Sequence, residues 1–422
     1  MPQSSPLATQ HIASPARKNG AKGCSGPPGP ATGAGAFAVA YDNGKLVRYG
    51  SGEPQFTLRF HGRNFIDLRG DDPLMSFGEA YMNGKIDVEG DLADVVSFGF
   101  RNGLALGGNQ ARRLALSAYR LAATGFRSFR RQKQDAAHHY DLGNDFFQLW
   151  LDNSMTYSCA YFHTSADTLE RAQTQKVDHS LRKLRLQPGE SLLDIGCGWG
   201  ALALRAAEEF GARPLGITLS KEQLAGARAK IEARGLQERA EFRLIGYDGL
   251  AREGRQFDKI VSIGMIEHVG KAQLGEFTRA TESLLKPGGL ALLHMITGVA
   301  EEPASQWIYK YIFPGGYIPT LPEMLRHVSG RSFLVWDVEN LGPHYARTLD
   351  LWSSRFEKAA ERVREKFGEA FVRMWRLYLR SSFACFREGM LHVHQILLSR
   401  GPAKNLPLTR GDLYAPPLFS MR

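Results

Sequence analysis

The stretch Ser191–Gly200, SLLDIGCGWG, constrains this chain more than any other. Leu192, Leu193 and Ile195 are apolar around Asp194, and glycine then recurs at 196, 198 and 200, ahead of the alanine- and leucine-rich run ALALRAAEEFGA. An apolar run, a glycine cluster and a helical periodicity, in that order, predict a buried strand, a tight turn and a helix start. Glycine suits a turn whose backbone bends sharply and approaches a ligand closely. The helix N-terminus behind it presents unpaired N–H groups. The arrangement fits a nucleotide-like ligand, and taken alone it fits an ordinary strand-to-helix turn as well.

The second strand narrows the choice. A dinucleotide fold places an acidic residue roughly 20 residues further on, at the end of that strand, to hold the ribose hydroxyls. Here RPLGITLS ends in Gly216, Ile217, Thr218, Leu219 and Ser220, and the acid lies inside the first motif, at Asp194. In this the stretch resembles the S-adenosylmethionine-binding motif of class I methyltransferases. The KPGG turn (Lys286 to Gly289) ahead of LALLHMI is similar to theirs too.

The rest of the region repeats strand and helix. Strands are expected at 191–194, 213–218, 241–245, 259–263 and 290–296, with helical runs such as KEQLAGARAKIEARG between them. Such alternation builds a parallel, doubly wound α/β sheet, whose ligands bind beyond the carboxyl ends of the strands. Tyr247 and Asp248 come after the third strand, Gly264, Glu267 and His268 after the fourth, and His294 lies toward the end of the fifth. All are expected at one crevice. The last hundred residues read as a strand (FLVWDVEN), long helices through Arg387 and a final strand, LHVHQILLSR.

Four ranges are expected: a disordered tail over 1–36, rich in Pro, Gly, Ser and Ala; a small α+β domain over 37–110; a basic linker helix over 111–135; and a methyltransferase-like domain over 136–422. In the small domain FAVAYDNGKLVRYG carries a DNG turn signal and predicts a hairpin. FTLRFHGRNFIDL is strand-like, and the next stretch mixes helices and turns. The run His138–Phe162 is dense in aromatics and reads mostly as core, with Cys159 harder to place.

Composition matters chiefly through charge. With 422 residues, 43% hydrophobic and 23% charged, the chain is of a soluble globular class, with no apolar run of 18 residues. No secretory signal is expected from its N-terminus. The four cysteines, Cys24, Cys159, Cys197 and Cys385, follow no metal spacing, and free thiols in a reducing cytoplasm are expected. The net charge is +10, which implies a polyanionic partner, nucleic acid or an anionic membrane surface. Between Val95 and Gln134 there is no acid but eight basic residues, among them Arg127, Arg130 and Arg131, interleaved with Leu114, Tyr119, Phe126 and Phe129. That mixture fits an interfacial membrane helix and equally a solvated linker helix. The Asn/Asp-Pro-Pro-aromatic motif of nucleic-acid methyltransferases is missing after the fourth strand, where IGMIEHVG stands, so no nucleic-acid substrate is expected.

The longer motifs carry a family resemblance. HYDLGNDFF, MTYSCAYF, LLDIGCGWG, GITLSKEQ, IEHVG, the FPGGYIP run (Phe313 to Pro319) and HYARTLDLW resemble those of the cyclopropane-fatty-acid synthase family, which includes the mycolic acid cyclopropane synthases. The resemblance runs from about residue 40 to 402. It implies methyl transfer from S-adenosylmethionine to the double bond of an unsaturated acyl chain in a membrane phospholipid. The chain becomes cationic, a base removes a proton and a cyclopropane ring closes. Relatives that stop earlier give methylene- or methyl-branched chains, and a homodimer is implied by the family only.

By resemblance the base is a bicarbonate ion. Its contacts would be Cys159 and Ile296 by their backbones, with Glu267, His294 and Tyr345. Taken without the resemblance, Glu267 reads as a helix N-terminal acid and His294 as a satisfied core histidine. The resemblance implies that Asp194, Gly196, Cys197, Gly198 and Gly200 cradle the methionine end of the cofactor. Thr218, Leu219 and Gln223 then face the ribose and adenine, Tyr247 and Asp248 flank the adenine, and Tyr157 and Ser158 close over the sulfonium. Cys197 reads as a turn residue, with nothing to lower its pKa. Relatives often carry an active-site cysteine in the C-terminal helix; Ser382 stands at the matching position, with Cys385 one turn later, so a thiol there is not required. An enzyme peripheral to the inner face of the membrane is expected, docked by its basic and apolar face.

Overall fold

The computed structural model describes residues 35–62, 73–102, 142–301, 305–403 and 406–414. The expected tail up to residue 34 and the whole basic segment 111–135 lie outside the described residues.

The N-terminal part folds as a four-stranded sheet with two helices. β1 (Ala36–Tyr41) and β2 (Leu46–Tyr49) form the antiparallel hairpin around the DNG turn, as the turn chemistry predicts. β3 (Pro54–Phe60) runs parallel to β1, and β4 (Ile86–Glu89) closes the sheet antiparallel to β3, in the order β2-β1-β3-β4. The sequence does not predict β4: IDVE has four residues, half of them acidic, too short for alternation to show. Val39, Phe56, Leu58, Ala80, Ile86 and Phe98 make this unit's core. Asp91 caps the helix Leu92–Arg101, accepting from the Ala93 N–H at 2.8 Å.

This unit sits on two helices from the far end of the chain, Gly342–Phe367 and Glu369–Arg387. Tyr81 and Leu92 join the aromatic core beneath those helices. Around that contact Arg373 pairs with Asp87 at 2.7 Å, Arg387 with Asp94 at 2.8 Å, and Arg101 with Glu388 at 2.6 Å. Gly78 lies against the Trp307 indole so closely that a Cβ would collide with the ring.

The larger sheet has seven strands. β5 (Ser191–Ile195), β6 (Arg213–Thr218), β7 (Glu241–Leu244), β8 (Phe257–Ile263), β9 (Leu285–Gly298), β10 (Phe333–Asn340) and β11 (Leu391–Arg400) stand in the order β10-β11-β9-β8-β5-β6-β7. Five of them, β7 through β9 across the sheet, are parallel, and β11 enters antiparallel between β9 and β10. The sheet is therefore an α/β doubly wound sheet with a mixed edge. Its order reverses between β5 and β8, and that switch point opens a crevice at the carboxyl ends of the strands. Separate apolar clusters pack the sheet, for example around Leu193, Ile260 and Leu293, and around Val177, Leu192 and Leu292.

The aromatic run before the sheet is core, as its density suggests. Phe146, Phe147 and Trp150 are buried, with Phe146 edge-on to Trp375 at 4.9 Å between centroids. They meet Trp352, Tyr378 and Phe386 from the two long helices.

Candidate active site

The turn after β5 shapes a first cavity. Gly196, Gly198 and Gly200 all have positive φ, at 82°, 54° and 83°. The N–H groups of Gly196 and Cys197 both donate to the Ile217 carbonyl, at 2.9 and 3.0 Å, which ties the turn to the end of β6. A Cβ on Gly198 would meet nothing within 4 Å, whereas one on Gly200 would strike the Phe242 ring. Gly198 thus faces open space, and Gly200 serves packing at the head of the helix Ala201–Glu209.

Of the expected cofactor residues, Tyr157, Ser158, Asp194, Gly196, Cys197, Gly198, Thr218, Leu219, Gln223 and Tyr247 line this cavity. Gly200 and Asp248 do not. The Asp248 carboxylate pairs instead with Arg252, one turn along its own helix, at 3.2 Å. Thr218 Oγ1 donates to Gln223 Oε1 at 2.9 Å, and Ser220 caps the helix that carries Gln223. Burial pushes the Asp194 carboxyl up to about 7, against the pull of the neighbouring Lys176 ammonium. Burial also raises the Cys197 thiol well above its ordinary value, which leaves it no nucleophile. The cavity holds about 1250 Å³ of space including its mouth. A buried carboxylate at a glycine turn and polar groups at the next strand end fit the ammonium and ribose ends of S-adenosylmethionine.

A second, smaller cavity adjoins it, sharing Tyr157, Ser158, Gly264 and His268 as a wall. Cys159, Glu267, His294, Ile296 and Tyr345 all line it. Glu267 sits on the 3-10 turn Ile266–His268 just past β8. Its Oε1 accepts the Ile296 N–H at 2.6 Å, while Oε2 is buried with no hydrogen-bond partner among the described residues. Burial pushes this carboxyl up to about 7.

His294 comes from β9. Gln395 on β11, its cross-strand neighbour, places Nε2 3.1 Å from His294 Nδ1. An amide N–H donating there leaves the ring proton on Nε2. Burial, with Lys176 and Lys183 nearby, holds the ring neutral, well below its usual pKa. His268 is likewise pushed down to about 4 by burial. The Cys159 thiol donates to the Ala160 carbonyl at 3.2 Å, and burial raises it far above the range in which a thiolate forms. The Tyr157 and Tyr378 hydroxyls meet at 2.7 Å across the cavity wall.

Ser382 lines neither cavity; it lies one turn beyond Tyr378 on the helix Glu369–Arg387. The neighbouring Cys385 thiol is pushed up to about 12 by burial. Sequence reasoning missed Lys176, Trp199 and Met265 in the first cavity, and Tyr378 and Val393 in the second. Phe313 carries a signal in the FPGGYIP run, and the structure sets it in the wall of the second cavity.

Comparison with known proteins gives the family and the fold relatives of the chain. The family described as mycolic acid cyclopropane synthetase matches residues 127–396. The chain belongs to the mycolic acid cyclopropane synthetase family. A domain of unknown function matches residues 32–109. A "Probable fatty acid methyltransferase" of Pseudomonas putida is 37% identical over 86% of this chain and 92% of its own length. The cyclopropane-fatty-acyl-phospholipid synthase of Escherichia coli K12 is 36% identical over 85% of this chain and 92% of its own. The solved mycolic acid cyclopropane synthase CmaA1, complexed with SAH and CTAB, is 36% identical with a TM-score of 0.60, covering 63% of this chain and 98% of that one. This member of the mycolic acid cyclopropane synthetase family is a methyltransferase that uses S-adenosylmethionine.

Proposed function

We propose that the enzyme methylates the double bond of an unsaturated acyl chain of a membrane phospholipid and closes it to a cyclopropane ring, with bicarbonate as the base. One observation carries this reading: Cys159, Glu267, His294, Ile296 and Tyr345 ring one small cavity against the cofactor cavity. S-adenosylmethionine, when bound, supplies an electrophilic methyl group, and bicarbonate supplies a proton acceptor.

The chain's own residues do the rest. Asp194, Thr218 and Gln223 would hold the cofactor, and Tyr157 and Ser158 stand between it and the second cavity. Glu267 Oε2 is the free acceptor for a bicarbonate hydroxyl. Neutral His294 offers an Nε2–H to an anionic oxygen, and the Tyr345 hydroxyl a second donor. An alkene is a weak nucleophile, so its alignment and the exclusion of water dominate the problem. Water would trap a cationic chain as an alcohol. Phe313, Val393 and the ring of Tyr378 supply the apolar part of the wall, and ring faces favour a passing positive charge.

Drawing an acyl chain from a bilayer into water costs about 0.8 kcal/mol per methylene. The lipid must therefore pass from membrane to apolar cavity, which favours an enzyme docked on an anionic membrane surface. Among the described residues no helix is long and apolar enough to cross a membrane. A methyl- or methylene-branched product is the second reading, and the name of the Pseudomonas relative, a probable fatty acid methyltransferase, is compatible with it. Purified enzyme, vesicles of unsaturated phospholipid and labelled S-adenosylmethionine decide the matter. Ring-proton NMR signals at the labelled carbon are expected; exomethylene or branch-methyl signals at that carbon alone establish the second reading, and unlabelled lipid rejects both.

A further inference from the structure

Lys176 is buried at 3% exposure on the helix Leu169–Lys183 and lines the cofactor cavity. Its Nζ donates to Ser158 Oγ at 3.0 Å. One turn earlier Gln173 Nε2 donates to the Ser158 carbonyl at 2.9 Å. The two side chains together fasten the strip Tyr157–Ser158 that separates the cavities. The same helix reaches the other side of the second cavity: Ser180 Oγ donates to the Lys176 carbonyl at 2.8 Å and accepts from Gln395 Nε2, which faces His294.

The second cavity has no Lys or Arg in its lining among the described residues, and it holds the carboxyl of Glu267. An anion placed there needs a positive charge, because burying it unpaired is costly. Asp152, Cys159 and Asp194 act on Lys176 through their charges, and the Lys176 charge in turn acts on His294. Cys159 and His294 both line the second cavity, so the field of the ammonium crosses the partition. Burial draws Lys176 down to about 8, which leaves it mostly charged at neutral pH.

We propose that Lys176 is a positioning residue whose ammonium is the counter-charge for the anion of the second cavity, acting through the Ser158 partition rather than by contact. This rests on the reading that bicarbonate binds there.

The test uses the full chain and sodium bicarbonate, with sodium chloride at equal ionic strength as control. An anion that binds the folded state raises the unfolding midpoint with concentration. In wild type the midpoint should rise saturably with bicarbonate. In Lys176→Met the half-saturating concentration should increase at least tenfold, and the KM for bicarbonate should increase in parallel at saturating S-adenosylmethionine. Lys176→Arg should return both to within threefold of wild type. If Lys176→Met does not fold, Lys176→Gln reads the same loss. A merely structural lysine would lower every midpoint and leave the half-saturating concentration unmoved, and that result overturns the proposal. A wild type indifferent to bicarbonate overturns the underlying reading and this one with it.

Discussion

Glu267 Oε1 accepts the Ile296 N–H at 2.6 Å, which turns its second oxygen, Oε2, into a buried group with no partner among the described residues. The backbone bond fixes the carboxyl's orientation, and burial holds its proton to about 7. Glu267→Gln should keep the S-adenosylhomocysteine Kd within about threefold and cut turnover at least a hundredfold, since the carboxylate acceptor is lost. Normal turnover by radiolabel transfer would remove Glu267 from the chemistry.

The same residue ties stability to pH. An ordinary glutamate titrates near 4.5, and this one near 7 when folded. Between those values the folded state keeps a proton on Glu267 that the unfolded state releases, so this residue's contribution to ligand-free stability falls as pH rises from 4.5 to 7. Glu267→Gln should therefore be more stable than wild type at pH 8, by about 3 kcal/mol, and no more stable at pH 4. Urea unfolding at the two pH values checks the sign; a gain at pH 4 alone would refute it.

Asp194→Asn should weaken S-adenosylhomocysteine binding about a hundredfold, ~2.7 kcal/mol, by removing the buried carboxylate from the glycine turn. Calorimetry measures it directly. An unchanged Kd would place the cofactor's ammonium end elsewhere.

Tyr157 and Tyr378 share a hydroxyl pair at 2.7 Å in the wall of the second cavity. Either single Phe substitution removes this bond from the other hydroxyl and should cost about 1–2 kcal/mol. The double substitution should cost less than the sum, giving a coupling of about 1 kcal/mol in denaturant unfolding. Strict additivity would mean that the two hydroxyls do not interact.

Asp91 does two jobs: it caps the helix Leu92–Arg101 and pairs with Arg380 across the contact between the two units. Asp91→Ser keeps the cap and loses the pair; Asp91→Ala loses both, with the cap worth about 1 kcal/mol. Urea unfolding should rank wild type above Asp91→Ser above Asp91→Ala. Equal stability of wild type and Asp91→Ser would show that the pair does not hold the units together.

Arg127, Arg130 and Arg131 lie outside the described residues, so their prediction rests on charge alone. Replacing all three with glutamine should weaken binding to anionic vesicles at least tenfold and flatten its salt dependence, since a basic charge acts on an anionic surface through a screened field. Co-sedimentation across a salt series tests it, and unchanged binding moves the docking face elsewhere.

Much of this site was legible because its residues sit at strand ends, where alternation and turn chemistry mark position. Asp194, Thr218, Tyr247, Glu267 and His294 each follow or close a strand whose apolar pattern is plain. Lys176 was not legible. Its helix, LERAQTQKVDHSLRK, is polar enough to read as a solvated face, yet Gln173, Lys176, His179, Ser180 and Lys183 are all buried. Their partners are the loop at 156–158, Gln395 and Glu339, contacts made across long stretches of chain that no local pattern encodes. The antiparallel entry of β11 was hidden for the same reason. An apolar strand pattern carries no direction, although direction is what sets Gln395 beside His294.

The partition formed by Tyr157 and Ser158 is a single stretch of chain with a chamber on either face. Whatever alters one face disturbs the other, so a substitution in this strip cannot reshape the smaller chamber alone. Independent change has to work from the opposite bank, at Phe313 and Val393, which line only the smaller chamber, so that a change in girth there reshapes it and does not reach the larger one.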